Sequence, residues 1–284
     1  MKTVMVTGGS GNVGRFAVAE LAKSWNVVNF DQRPQRPCQK SELREGSILC
    51  VDDLRAGMKG VDAVVHLAAV PTLSAGTPDQ IIEVNVLGTH RVLETAAHAG
   101  IKRVVIASSD STFGFVFGTG EERPEYLPLD ENHPTRPADA YGLSKLLGEQ
   151  ICAAHSRRFG MTTVALRYCW VWFPPDYPPI DALIANDENC RRTMAGYVGA
   201  RDVGQAVRRS LEADLQGHET FLISAADTYL HESTLEFMSR HFPDLPELRR
   251  PFSLVSNPHV ALFNYDKARA MLGYKPRYTW RKKA

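Results

Sequence analysis

The stretch from Lys2 to Lys23 constrains this chain more than any other. Residues Lys2–Thr7 read K-T-V-M-V-T, a short apolar, β-branched run suited to a buried strand. Gly8-Gly9-Ser10-Gly11-Asn12-Val13-Gly14 follows, and then Arg15–Lys23, whose alanines and leucine predict a helix. Glycines 8, 11 and 14 fall at G-x-x-G-x-x-G spacing. Gly8, lacking a Cβ, lets the chain turn sharply. Gly11 lets the backbone approach a pyrophosphate, and Gly14 lets helix pack closely on strand. Amides at the helix start, aided by its dipole, then face the phosphates. Asp31 closes a second predicted strand, Asn26–Asp31, where a carboxylate accepts hydrogen bonds from an adenosine ribose. A glycine triplet alone says little. Between a strand and a helix, with an acid to follow, it predicts a dinucleotide site.

Strand and helix patterns alternate through the next two thirds of the chain. Strands are predicted at 46–51, 62–67, 102–108 and 162–168, and helices at 79–99 (capped by Gly100) and 139–159. Such alternation builds a parallel sheet with helices on both faces, a Rossmann-type doubly wound α/β fold. Residues 1–168 are expected to form the nucleotide-binding region with the 139–159 helix. Residues 169–284 are expected to form mostly a small C-terminal substrate lobe. Within it, a helix at about 203–214 and a strand at about 220–224 return to the first region, and helices lie near 232–241 and 265–272. Two stretches stand out, Phe113–Pro137 with Phe113, Phe115 and Phe117, and Trp170–Asn189 with Trp170, Trp172, Phe173 and Tyr177. Both are long for simple connections, and such loops tend to carry function.

Bulk properties exclude several partners. A net charge of +1 gives no reason to expect nucleic acid or an anionic membrane surface. No apolar run is long enough to span a bilayer, and a strand beginning at residue 2 leaves no room for a signal peptide. The five cysteines, 38, 50, 152, 169 and 190, form no C-x-x-C pair and read as reduced thiols of a cytoplasmic protein. No H-E-x-x-H or spaced Cys/His cluster points to a metal site.

Tyr141-Gly142-Leu143-Ser144-Lys145 places a tyrosine and a lysine one helical turn apart on one face. A phenol is a poor base at neutral pH, and a neighbouring ammonium together with an oxidised nicotinamide would lower its pKa. Ser108-Ser109 closes the 102–108 strand, where a hydroxyl can reach the same substrate oxygen. His66, inside a buried strand, reads as a core histidine, and Asp52-Asp53 as a helix cap.

Taken together, these residues resemble the extended short-chain dehydrogenase/reductase family, the NAD-dependent epimerase/dehydratase group. The matching stretches are Thr7–Gly14, Asp31, His66-Leu67-Ala68-Ala69, Asn85-Val86-Leu87-Gly88-Thr89, Ser108-Ser109 with Phe113-Gly114, and Tyr141–Lys145, with weaker matches at Leu166-Arg167 and Arg201-Asp202-Val203. The resemblance implies an NAD-dependent oxidoreductase, with NADP the less favoured cofactor, acting on a carbohydrate-like small molecule. It implies Tyr141 as general acid/base, Lys145 as its partner and ribose ligand, and Ser109 bonding the reacting oxygen, with Ser108 second in line. The implied cofactor contacts are Gly8, Gly11, Asn12, Val13, Gly14, Asp31, Ser47, Ile48, Leu67, Ala68, Ala69, Asn85 and Ala107, together with Tyr141 and Lys145. It also implies a homodimer through the helices at 79–99 and 139–160.

Three departures bear on substrate. Gly46-Ser47-Ile48 stands where the family has Gly-Asp-Ile or Gly-Asp-Val. Trp170 replaces an asparagine that helps hold nucleotide-sugars. Only a short stretch separates Pro174 from Arg201, which resembles the compact uronate dehydrogenases of this family. Those carry a carboxylate-clamping arginine soon after the sixth strand; here Tyr177-Pro178-Pro179 stands there, and Arg191, Arg192 and Arg201 are the substitutes to test. The expected reaction is hydride transfer between nicotinamide and a secondary alcohol of a sugar or sugar acid. The alternatives are a nucleotide-sugar epimerase or dehydratase that retains NAD, and a non-catalytic NAD sensor.

Overall fold

The computed structural model describes residues 1–34, 40–175, 177–244, 247–249 and 257–281. Cys38 and Arg36 lie outside the described residues. In chain order the elements are β1 (Thr3–Thr7), α1 (Gly14–Leu21), β2 (Asn26–Asp31), β3 (Glu42–Glu45), α2 (Val51–Gly57), β4 (Ala63–His66), α3 (Pro78–Ile82), α4 (Gly88–His98), β5 (Arg103–Ser109), α5 (Ala140–Phe159) and β6 (Thr162–Tyr168). Then come β7 (Val171–Trp172), α6 (Ile180–Ile184), α7 (Asp187–Arg192), β8 (Val198–Gly199), α8 (Ala200–Glu212), β9 (His218–Ile223), α9 (Thr234–His241) and α10 (Asp266–Leu272).

Among the described residues the main sheet runs β3-β2-β1-β4-β5-β6-β9, every pairing parallel. The chain winds outward from β1 in both directions, so the carboxyl ends of β1 and β4 part above a crevice, the place where such sheets bind ligands. Period-two alternation divides β1 between the faces. Val4 and Val6 join a core with α1 and α8, and Met5 joins the opposite core, which includes Val92, Leu93 and Cys152 from α4 and α5. A third core, around Trp172, Tyr197, Tyr229 and Phe237, lies towards the C-terminal part.

Three expectations are corrected. The third strand is Glu42–Glu45, not 46–51. As an edge strand it is set by backbone pairing with β2 and carries exposed charges, a common guard for an edge. The apolar Ile48 sits in the turn beyond it and packs under Gly88, where a Cβ would come within 2.6 Å of Ile48 Cδ1. The 79–99 helix is interrupted by a π-helical turn, Glu83–Leu87, between α3 and α4. Asp52 and Asp53 fall in the first turn of α2, and no side chain caps it; Asp53 Oδ2 instead accepts from Ser47 N at 2.9 Å.

Candidate active site

Gly8 has φ +72°, and a Cβ there would lie 2.7 Å from Ala68 N. A Cβ on Gly14 would lie 2.1 Å from Gly8 O. Glycine is therefore required both for the turn and for seating α1 against it. Gly9, not part of the spaced triplet, is equally constrained, since its Cβ would fall 2.2 Å from Asn29 Oδ1. Asp31 is buried beside this turn and accepts from Ser10 N at 3.0 Å, Arg33 N at 3.0 Å and Arg33 Nε at 3.2 Å.

A cleft of about 920 Å³ opens above the carboxyl ends of the strands. Gly8, Gly11, Asn12, Val13, Gly14 and Asp31 line one end, with Ser47 and Ile48 beside them. Leu67, Ala68, Ala69 and Ala107 line its middle, and Ser109, Tyr141 and Lys145 its far part. Asn85 does not line it. From the π-helical turn, its amide accepts from Val70 N at 2.8 Å and donates to Val70 O and to Ser144 Oγ, both at 3.0 Å. It holds the loop that forms the cleft wall. A π turn at such a place is a frequent device for aiming one side chain.

Tyr141 is set by the start of α5. Asp139 caps the helix, its Oδ1 accepting from Gly142 N at 2.8 Å. A Cβ on Gly142 would meet Ser111 O at 2.7 Å, so the first turn lies directly on the chain that follows β5. Tyr141 and Ser109 line the same part of the cleft. Lys145 Nζ donates to Ala107 O at 3.1 Å and stands 5.5 Å from the Tyr141 ring centroid.

Burial pushes the Tyr141 phenol above its usual range, and the carboxyls of Asp110 and Asp139 push it further; the nearby Ser109 hydroxyl works the other way. The chain's own groups thus leave the phenol above its usual range, and the expected lowering is a matter for the ammonium together with the oxidised nicotinamide. Burial brings the Lys145 ammonium down to about 8.

Ser108 drops out as a second hydroxyl. Its Oγ donates to Glu149 Oε1 at 2.5 Å, and Glu149 is gripped by Arg167 through Nε at 2.9 Å and Nη2 at 2.8 Å. His66 is confined between Thr7 Oγ1 at 2.7 Å and Thr89 Oγ1 at 3.0 Å, and burial brings its pKa down to about 3. It behaves as the core histidine expected from its strand.

Asp110, next to Ser109 at the end of β5, also lines the cleft. Burial raises its carboxyl to about 7, against bonds from Ser109 and backbone amides. Ser109 Oγ donates to its Oδ1 at 3.1 Å. Only its neighbour Ser109 at a strand end signals it in the sequence. Trp170, Phe173, Asn189 and Thr193 complete the far end with Val116 and Phe117. The Phe117 ring meets Tyr141 edge-on at 5.9 Å. The aromatics of the two long loops thus divide between duties, since Phe113 and Phe115 are buried in the third core and Trp172 stacks on Tyr197 at 4.4 Å.

The substitute arginines are engaged elsewhere. Arg191 binds Glu188 and donates to Gly120 O at 2.6 Å; Arg192 binds Glu188 and donates to Gly118 O at 2.8 Å. Arg201 lies over the Tyr278 ring at 5.0 Å. None of the three lines the cleft. Cys50, Cys152, Cys169 and Cys190 are free thiols. No helix among the described residues is long and apolar enough to cross a membrane.

Residues 4–181 match the NAD dependent epimerase/dehydratase family. L-arabinose 1-dehydrogenase (NAD(P)(+)) of Haloferax volcanii is 32% identical over 220 residues, 76% of this chain and 84% of that protein. Uronate dehydrogenase of Pseudomonas putida is 29% identical over 229 residues, 79% of this chain and 76% of its own. Among solved structures, MoeE5 in complex with UDP-glucuronic acid and NAD superposes with a TM-score of 0.70 at 25% identity, covering 98% of this chain and 94% of that one. A short-chain dehydrogenase/reductase superfamily protein from Agrobacterium tumefaciens with bound NAD gives 0.72 at 26% identity, covering 98% and 93%.

Proposed function

The chain belongs to the NAD dependent epimerase/dehydratase family, and from that premise we propose that it oxidises a secondary alcohol of a free, uncharged sugar with NAD. The observation that carries this reading is that Ser109, Tyr141 and Lys145 line one cleft that continues to the Gly8 turn and Asp31. The glycine turn, where a Cβ would strike Ala68, fits a dinucleotide laid against bare backbone. Asp31 would accept from the adenosine ribose, with Ser47 and Ile48 near the base. The start of α1 would face the pyrophosphate. Lys145, fixed at Ala107 O, would reach the second ribose.

In this mechanism Tyr141 accepts the proton of the substrate hydroxyl, and Ser109 steadies the negative charge that develops on that oxygen. NAD, when bound oxidised, supplies the hydride acceptor and a second positive charge beside the phenol. Lys145 is the chain's own cation at the site and works with that charge against the upward pull of burial and Asp110. Phe117 and Trp170 offer apolar faces to the carbon side of a sugar ring.

An uncharged substrate is favoured over a sugar acid by two observations. Arg191, Arg192 and Arg201 are tied to Glu188, loop carbonyls and Tyr278. Asp110 also brings a carboxyl, not a cation, to the substrate end. The relative from Haloferax volcanii is named for a neutral sugar. We further propose a cytoplasmic homodimer. Exposed Ile82, Leu87 and Leu143 on α3, the π turn and α5 support the pairing face.

The test is NADH production from a panel of neutral aldoses, uronic acids and nucleotide-sugars. Release of NADH from neutral aldoses is expected. Turnover only of nucleotide-sugars, with NADH retained, would replace this reading by the epimerase. Tyr141→Phe should lower kcat by about 10²–10⁴-fold with NAD affinity nearly unchanged. Lys145→Met should weaken NAD binding as well as rate and move residual activity to higher pH. A Tyr141→Phe rate above about a tenth of wild type would remove Tyr141 as the base and move the search to Asp110. His133 is no substitute: its Nε2 accepts from Glu125 N and its Nδ1 donates to Pro134 O, both at 3.0 Å.

A further inference from the structure

His90 and Glu94 stand one turn apart on α4, and His155 faces them from α5. One ligand atom from each lies within 4.8 Å of the other two. We propose that this trio is a binding site for a divalent transition-metal ion of the zinc type. The sequence shows only the His90-x-x-x-Glu94 half; His155 lies 61 positions beyond Glu94 and reaches it through helix packing alone.

The hydrogen bond at His155 Nδ1 orients the ring as a metal ligand's is oriented. Its Nδ1 lies 2.9 Å from Ile151 O, and a carbonyl only accepts, so Nδ1 carries the proton. That bond fixes the ring and aims the lone pair of Nε2 outward, the usual support for a metal-binding histidine. Yet Nε2 lies 2.9 Å from Glu94 Oε2, another acceptor. Imidazole and carboxylate thus already meet as a pair, and a cation that parts them takes one ligand atom from each. A zinc ion held at about 2.0–2.2 Å by each ligand needs ligand atoms roughly 3.3 Å apart. The trio reaches that spacing by side-chain rotation; His90 is exposed, and its ring meets that of His155 edge-on at 5.5 Å. Two imidazoles and a carboxylate suit zinc over magnesium or calcium. A fourth position is left for water.

The other charged and titratable groups facing the trio are His98, whose Nε2 lies 3.2 Å from Glu94 Oε1, and Arg158, whose Nη1 lies 3.9 Å from the same oxygen. Both are on the solvent side and engage the carboxylate oxygen that faces away from His155. Along α5, 14 residues separate His155 from Tyr141, about 21 Å of helix. The ion is therefore structural: it clamps α4 to α5 and has no part in hydride transfer.

Isothermal titration of chelator-treated, tag-free protein with zinc chloride tests this. One ion per chain is expected, binding more weakly as pH falls because the ion and a proton compete for Nε2. His90→Ala, an exposed change that spares the fold, should weaken binding at least tenfold, and so should Glu94→Gln. Cobalt(II) in place of zinc should give absorption without a thiolate band. A wild-type isotherm that matches His90→Ala, or a thiolate band, would overturn the site. Sugar oxidation does not enter these readouts, so this inference and the proposed activity fail separately.

Discussion

Asp31 takes its hydrogen bonds from Ser10 and Arg33, the first across the glycine turn and the second two residues on. Trp170 and Asn189, by contrast, reach the same cleft from different stretches of the C-terminal half. The nucleotide end is made of backbone, glycines and strand ends, which the sheet places without help. The substrate end is made of side chains presented by loops and short helices, and those are set by distant contacts. Asp202 at the start of α8 accepts from Arg277 N and Tyr278 N at 2.9 and 3.0 Å, and Asp227 accepts from Tyr197 at 2.7 Å and Thr279 at 2.7 Å. A locally built cofactor end can thus coexist with a substrate end that depends on distant contacts.

After the loss of turnover in Tyr141→Phe, the next largest effect is expected where the two ends are joined. Arg167 on β6 and Glu149 on α5 form a buried, two-pronged ion pair, capped by Ser108 from β5. Removing one partner leaves an uncompensated buried charge, which costs about 3–5 kcal/mol. Arg167→Met should lose about that much in urea denaturation, while Ser108→Ala should lose far less. Equal and small losses would mean that the two ends are not coupled through this pair.

The same contrast explains what could be read in the sequence. Gly8, Gly14, Asp31, Ser109, Tyr141 and Lys145 were legible because each is a residue type required by a strand end or a helical turn. The alternation of strands and helices gave the sheet. Glu42–Glu45 was not legible as β3, because an edge strand is selected by pairing with β2 and not by an apolar pattern. The π turn left no mark either, since it is one extra residue in a helix whose periodicity otherwise continues; its consequence is that Asn85 aims at Val70. Asp110, Phe117 and Trp170 were visible as residues but not as neighbours. Their meeting depends on the loops that follow β5 and β6.

Two buried titratable groups, His66 in the core and Asp110 in the cleft, make opposite predictions for stability. His66 has a folded pKa of about 3 against 6.5 unfolded. Below 6.5 the unfolded chain binds a proton that the folded chain refuses, so stability falls as pH drops from 6.5 towards 3. Asp110 has a folded pKa of about 7 against 3.8 unfolded. Between these values the folded chain holds the extra proton, so its contribution is present below 3.8 and is lost as pH rises through 7. Each slope is about 1.4 kcal/mol per pH unit, and between 3.8 and 6.5 they oppose. Denaturation at a series of pH values should show the parent-minus-variant difference falling with pH for Asp110→Asn and rising with pH for His66→Gln. Slopes of the same sign in both would contradict the assignment.

The smallest effect concerns cofactor choice, and it probes the locally built end alone. Asp31 presents its carboxylate where a ribose would bind, and a 2′-phosphate there would meet like charge. Arg33 stands beside it with Nε 3.2 Å from Oδ1, its side chain 62% exposed. The carboxylate holds the guanidinium in place and also neutralises it. Asp31→Ala removes the repulsion and frees the guanidinium to meet a phosphate, so the NADP-to-NAD affinity ratio should rise about tenfold, equivalent to about 1.4 kcal/mol. Arg33→Ala leaves the carboxylate unopposed, so the ratio should fall, by less because an exposed pair interacts weakly. Fluorescence titration with NADH and NADPH reads both ratios. Because Asp31 also accepts from Ser10 N, Asp31→Ala should loosen the glycine turn and weaken binding of both cofactors; Arg33→Ala should leave NADH binding close to wild type. A ratio that moves the same way in both variants would mean that the arginine, and not the carboxylate, sets the preference.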